Sequence, residues 1–147
     1  MKDSGIASIL STVLAVMATG SSTGSDNMVQ PLLPTSPAKL MQLTASELAE
    51  QKTLASNGDC SAALKVARHF GFVVNDFNES VLWLRIAVRC PAVEPKAELA
   101  YLLLGRNLSL EIVKEIETLI VQIGETNPPL AEDVRKEVQA KLVKSVG

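Results

Sequence analysis

The sequence predicts an all-α domain, and three observations predict it. From residue 44 onward, apolar residues recur at three- and four-residue steps through successive segments. Residues suited to capping and stopping helices fall at the ends of those segments. No segment alternates apolar and polar residues with the period of two that a half-buried strand needs. The architecture expected is three stacked antiparallel helical hairpins, about six helices in all.

The first helix opens at Thr44-Ala45-Ser46-Glu47. This is the capping-box spacing, in which the threonine oxygen and the glutamate carboxylate satisfy each other's orphan amides. Leu43 and Leu48 stand where a hydrophobic staple closes over such a cap. The helix runs to about Ser56 and stops at Asn57-Gly58. Asp59 caps the second helix, whose stripe is Ala62, Ala63, Val66, Ala67 and Phe70 and which Gly71 ends. Asn75-Asp76 restarts the chain. Phe77, Val81, Leu84, Ala87 and Val88 carry the third helix to about Arg89, where Cys90-Pro91 breaks it.

Pro95 suits the first turn of the fourth helix, and Ala97, Ala100, Tyr101, Leu103 and Leu104 follow before Gly105. Ser109 caps the fifth, which has the strongest stripe in the chain: Ile112, Val113, Ile116, Leu119, Ile120 and Ile123, closed by Gly124. The sixth starts at Thr126-Asn127-Pro128, carries Leu130, Val134, Val138 and Leu142, and ends at Gly147. Glu132 and Asp133 near its start, with Lys141 and Lys144 near its end, match the helix dipole.

The N-terminal segment reads differently. Residues 1–20 have the pattern of an export signal: Met1-Lys2, then Ile6 to Ala18 without a charge, then the small residues Ala18-Thr19-Gly20. The apolar run is too short to span a hydrocarbon core, which needs roughly 20 residues. The alternative is a buried N-terminal helix of the folded domain. Ala18-Thr19-Gly20-Ser21 resembles the lipobox of bacterial lipoproteins with Ser21 in place of the acylated cysteine, so no lipid anchor is available as written. Residues 21–43 are expected to be a flexible tether, small and polar at first and then held extended by Pro31, Pro34 and Pro37. Alternatively, Leu32 and Leu33 dock on the domain. The helical domain is expected over 44–147.

Composition excludes several functions. The 147 residues fit one domain, with 47% apolar and 20% charged types. Fourteen basic against 16 acidic residues (net −2) and 3% aromatics offer nucleic acid neither a basic footprint nor a stacking platform. One histidine and two cysteines are too few for most structural zinc sites.

The cysteines test the hairpin expectation. Cys60 opens the second predicted helix, Cys90 lies just past the third, and their midpoint is residue 75, inside the connection between them. Residues equidistant from a hairpin turn lie at one level, so both thiols fall at its open end, where a disulfide is geometrically possible. In an exported chain this reads as a structural bridge. The alternative is two buried free thiols. A metal site of Cys60, Cys90 and His69 is disfavoured, because His69 is about two helical turns from Cys60.

The stretch Gly58-Asp59, Ala62, Ala67 and Phe70 resembles the first helix of a Sel1-like repeat, a relative of the tetratricopeptide repeat. Asp76, Trp83, Arg85 and Ala87 occupy the Asp, aromatic, basic and alanine positions of that repeat's second helix. The match covers residues 55–88, and Ala97, Ala100, Leu104 and Gly105 echo a second, degraded unit. Gly71-Phe72-Val73-Val74-Asn75 lacks the family's Gly-x-Gly, and Ser80 replaces an alanine. The resemblance implies stacked hairpins in which small alanines let paired helices approach while Trp83 and Phe70 fill the space between pairs. It also implies a protein-binding scaffold.

Nothing in the sequence points to catalysis. His69 has no evident nucleophile or carboxylate partner and reads as a surface or groove histidine. Glu111, Glu115 and Glu117 with Lys114 read as a solvated face, Cys-x-x-Cys is absent, and no phosphate-cradling glycine loop occurs. No enzyme and no cofactor is expected. The expected function is an exported, periplasmic adaptor or assembly factor that binds a protein partner of an envelope complex. The alternative is an immunity protein that neutralises a periplasmic toxin or wall hydrolase. An inhibitor presents a protruding loop, and the apolar Gly71–Asn75 connection is a candidate; an adaptor presents a groove between hairpins. The residues expected to meet a partner are Arg68, His69, Phe72, Val73 and Arg85.

Overall fold

Most helices among the described residues begin at a side chain that accepts from an orphan amide. In the computed structural model, which describes residues 36–146, seven α-helices follow one another: α1 (Pro37–Leu40), α2 (Ala45–Ser56), α3 (Cys60–Arg68), α4 (Phe77–Ala87), α5 (Glu94–Leu104), α6 (Leu110–Gly124) and α7 (Pro128–Val146). The fold is all-α, as the periodicity predicts. The expected export signal at 1–20, Ser21 and the tether up to residue 35 lie outside the described residues.

The caps at Thr44, Asp59 and Ser109 are the ones the sequence indicates, and Asp76 adds a fourth. At α2 the Thr44 hydroxyl accepts from the Glu47 amide at 3.3 Å, and the Thr44 amide donates to Glu47 Oε2 at 2.7 Å. Asp59 accepts from the Ala62 amide at 2.9 Å, Asp76 from the Glu79 amide at 3.0 Å, and Ser109 from the Ile112 amide at 3.3 Å. Gly58 makes the turn into α3 with φ +97°, a conformation open to glycine.

Two segments depart from expectation. The last residues of the predicted tether are structured. Ser36 and Pro37 start α1, which packs against the segment after α3. Pro37 favours helix here because it occupies the first turn, where its missing amide costs nothing. The Leu43 amide then donates to His69 Nδ1 at 3.1 Å, fastening the entry to α2.

The second departure is at Gly71, which does not end the second predicted helix. His69–Val74 continue α3 as a π-helical turn. It closes at Asn75, which adopts φ 60°, a left-handed conformation that asparagine tolerates. The Asp76 amide reaches back to the Phe70 carbonyl at 2.9 Å. Such insertions occur where a tertiary contact intrudes on the helical ladder. Here the intruder is Ser80 of α4: 4% exposed, its hydroxyl donates to the Ala67 carbonyl at 2.9 Å.

From α2 onward consecutive helices pack on one another, and α5 also meets α7. The larger core gathers Leu84, Leu99, Leu103, Ile116, Ile123 and Val134 from α4 to α7. A smaller one is built of alanines alone, Ala55, Ala62, Ala63 and Ala87, where α2, α3 and α4 approach closely. Half-buried Leu64 and Trp83 pack against both. Trp83 Nε1 donates to Glu79 Oε2 at 3.1 Å, so the ring closes the seam with its polar edge outward.

Cys60 and Cys90 form a disulfide, with 6.2 Å between their Cα atoms, across the open end of the α3–α4 hairpin. Two arginine–glutamate pairs span the same sequence interval of 30 residues. Arg68 on α3 bonds Glu98 on α5, and Arg85 on α4 bonds Glu115 on α6 in a two-pronged fork at 2.8 Å per prong. The pairs therefore tie each helix of one hairpin to its counterpart in the next.

Candidate functional site: an aromatic-edged groove along α3, α5 and α7

The tie between α3 and α5 and the packing of α5 on α7 bring three helices together along one groove. Its first hollow, about 310 Å³, has walls of Phe72, Phe77, Leu84, Tyr101 and Leu102, with the Arg68–Glu98 pair at its edge. The next hollow, about 620 Å³, shares Arg68, Glu98 and Tyr101 and continues past Glu94 and Ala97 to Asn127 and Leu130. Phe72, Phe77 and Tyr101 are 54%, 50% and 43% exposed, so three aromatic rings stand at this groove with half their surface in water.

Arg68 Nε donates to both carboxylate oxygens of Glu98, at 3.0 and 3.3 Å, and its Nη2 donates to Oε1. The hydrogen bond to Glu98, supported by the charges of Glu98 and Glu94, holds the guanidinium above its ordinary pKa despite partial burial. The two charges balance each other at the groove wall. The groove offers apolar surface and positioned charge, the means of recognition. Among the described residues no three His, Cys, Asp or Glu side chains gather closely enough to hold a metal ion.

The five residues expected to meet a partner are not brought together. Arg68 edges the groove and Phe72 stands on its rim. Val73 is half-buried in the π turn and lines none of the groove. Arg85 lies elsewhere on α4, engaged with Glu115. His69, read as a surface or groove histidine, is only 7% exposed; its Nδ1 accepts from Leu43, which places the ring proton on Nε2, and its ring meets Phe70 edge-on at 5.6 Å. Its partner lies 26 positions away, beyond the reach of local sequence patterns.

Sequence reasoning missed Phe77 and Tyr101 by assigning both to the core. Each belongs to its helix's apolar stripe by spacing. The signal available was redundancy: α4 and α5 carry more apolar residues than one buried face can hold, and Leu82, 53% exposed, shows the same excess.

Comparison with protein-family models, with curated proteins and with solved structures gives no match.

Proposed function

We propose that this chain is an exported, non-enzymatic adaptor that holds a segment of a protein partner in the groove along α3, α5 and α7, in the service of an envelope assembly. The observation that carries this reading is the exposure of Phe72, Phe77 and Tyr101 around one apolar hollow. Exposed aromatics clustered at a concave site are the anchors of protein interfaces, and isolated exposed apolar residues are not. The disulfide supports an oxidising compartment such as the periplasm. Among the described residues no helix is long and apolar enough to cross a membrane. The apolar 71–75 connection favours the adaptor over the inhibitor, because it is wound into a π turn that puts Phe72 on the groove rim.

The test is photo-crosslinking in the native host, with a benzophenone amino acid placed at 77, at 101 and, as a control, at exposed Val121 on α6. The expected result is one adduct formed from 77 and 101 and absent from 121, containing a component of a larger envelope assembly. Equal labelling from all three positions, or none from 77 and 101, overturns the groove as the binding site. An adduct with a single hydrolase or secreted toxin that the chain inactivates overturns the adaptor in favour of an immunity protein.

A further inference from the structure

A third hollow, about 690 Å³, adjoins the groove at the far side of Tyr101, where α5 ends and α7 passes. Its charged residues are Arg106, Lys141, Lys144 and Glu137, three cations against one carboxylate, in a chain whose net charge is −2. The Lys141 ammonium donates to the Leu104 carbonyl at the C-terminal end of α5, where a cation is favoured. Arg106 donates to the Asn78 side-chain oxygen. Both partners are neutral, so neither charge is cancelled, and among the described residues the ion pairs are Arg68–Glu98, Arg85–Glu115 and Arg135–Glu132. Arg106 and Lys141 are held in place by these bonds, and both line the open hollow.

Tyr101 borders this basic hollow and both hollows of the groove. Apolar and cationic surface therefore meet across one exposed ring, and an extended peptide advancing about 3.3 Å per residue crosses it in a few residues. Deepening the adaptor reading, and resting on it, we infer that the partner segment is acidic. An aromatic or branched apolar side chain seats against Phe72, Phe77 and Tyr101, and carboxylates a few residues along face Arg106, Lys141 and Lys144. Charge complementarity selects this occupant. A basic segment would meet three like charges, and a neutral apolar one would leave the cations unused. Arg106 and Lys141 are already restrained by Asn78 and Leu104, so less side-chain freedom is lost on binding.

The probes are three fluorescein-labelled octapeptides of glycine and serine, each with one Phe and, three residues on, either Asp-Glu, Ser-Ser or Lys-Lys. Binding to the full chain is read by anisotropy at low and high salt. The Asp-Glu peptide is expected to bind about tenfold tighter than the Lys-Lys peptide, with the difference shrinking as salt rises. Lys144→Glu, at an exposed position, should weaken the Asp-Glu peptide about fivefold and strengthen the Lys-Lys peptide. Phe77→Ser should weaken all three, with circular dichroism confirming that each variant is folded.

Equal affinity for acidic and basic peptides, or indifference to Lys144→Glu, overturns the acidic partner. If Phe77→Ser still weakens every peptide in that case, the groove reading survives its failure. No binding of the Asp-Glu peptide by millimolar concentration overturns the inference, while crosslinking at 77 and 101 continues to judge the adaptor reading independently.

Discussion

The π turn makes a prediction that packing arithmetic alone supplies. A Cβ added to Gly71 would stand 3.0 Å from the Ser80 hydroxyl oxygen and 3.6 Å from the Ser80 Cβ. The first distance is tighter than an ordinary contact, so the hydroxyl must give way by a few tenths of an ångström, and the second is an ordinary contact. Gly71 does not have positive φ, so the objection to alanine is steric. The hydroxyl cannot simply retreat, since it is buried and committed to the Ala67 carbonyl. Overpacking of this kind costs about 1–3 kcal/mol, offset by about 0.5–1 kcal/mol from replacing a helical glycine. Gly71→Ala should therefore destabilise by about 1 kcal/mol. Ser80→Ala leaves the Ala67 carbonyl without its donor and should cost about 1.5 kcal/mol. In the Ser80→Ala background the clashing atom is gone, and Gly71→Ala should become stabilising by about 0.5 kcal/mol. The cycle thus predicts a coupling of about 1.5 kcal/mol, with the double variant near or above Ser80→Ala alone. Urea denaturation of the four chains, compared at constant m-value, measures it. Additivity within 0.5 kcal/mol, or a stabilising Gly71→Ala in the parent chain, would refute the reasoning.

The disulfide closes a loop of 30 residues and should contribute about 3.5 kcal/mol on the loop-entropy relation, so Cys60→Ser should lower the melting temperature without reductant and change nothing with it. Identical melting of parent and variant in oxidising buffer would place that stabilisation elsewhere. Trp83→Ala should cost about 3 kcal/mol, the low end for a tryptophan, because the ring is half-buried against both alanine-rich and branched cores; an unchanged melting curve would deny it that role. Glu47 is held below its ordinary pKa by its hydrogen bonds from Thr44, so its stabilising effect is present above the unfolded carboxylate's pKa and lost as pH falls through the lower folded value. The melting-temperature gap between the parent and Glu47→Gln should be largest near pH 7 and shrink as acid protonates the carboxylate; a gap that widens in acid would reverse the sign.

How much of this was legible follows from which interactions are local. The capping box at Thr44–Glu47, the Asp59 and Ser109 caps and the stripe of α6 are short-range patterns, and the structure bears them out. The Cys60–Cys90 bridge followed from symmetry about one turn. The π turn was not legible at Gly71, because helix continuation there depends on Ser80 reaching the Ala67 carbonyl from another helix. His69 was misread for the same reason: its partner is a backbone amide in a segment expected to be loose. Arg68, expected to meet a partner, lies at the edge of the groove, whereas Tyr101 and Phe77, which spacing assigns to core stripes, stand half-exposed. Periodicity reports which residues share a face, and it does not report how wide the neighbouring helix is.

That limit bears directly on recognition. Phe72 lines the groove from a π turn, and an α-helical register would carry each later side chain of His69–Val74 further round the axis, shifting this ring relative to Phe77 and Tyr101. The turn is held from both sides, by Ser80 at the Ala67 carbonyl and by His69 at the Leu43 amide. Ser80 thus helps to hold the π turn in place. The same logic separates folding from binding in the Gly71/Ser80 cycle. The double variant should recover stability relative to the sum of its parts, yet it lacks the hydroxyl that favours the π register. It should therefore bind an acidic aromatic peptide more weakly than the parent while melting close to the Ser80→Ala chain, and equal affinity in the two would show that the register does not place Phe72 at the groove.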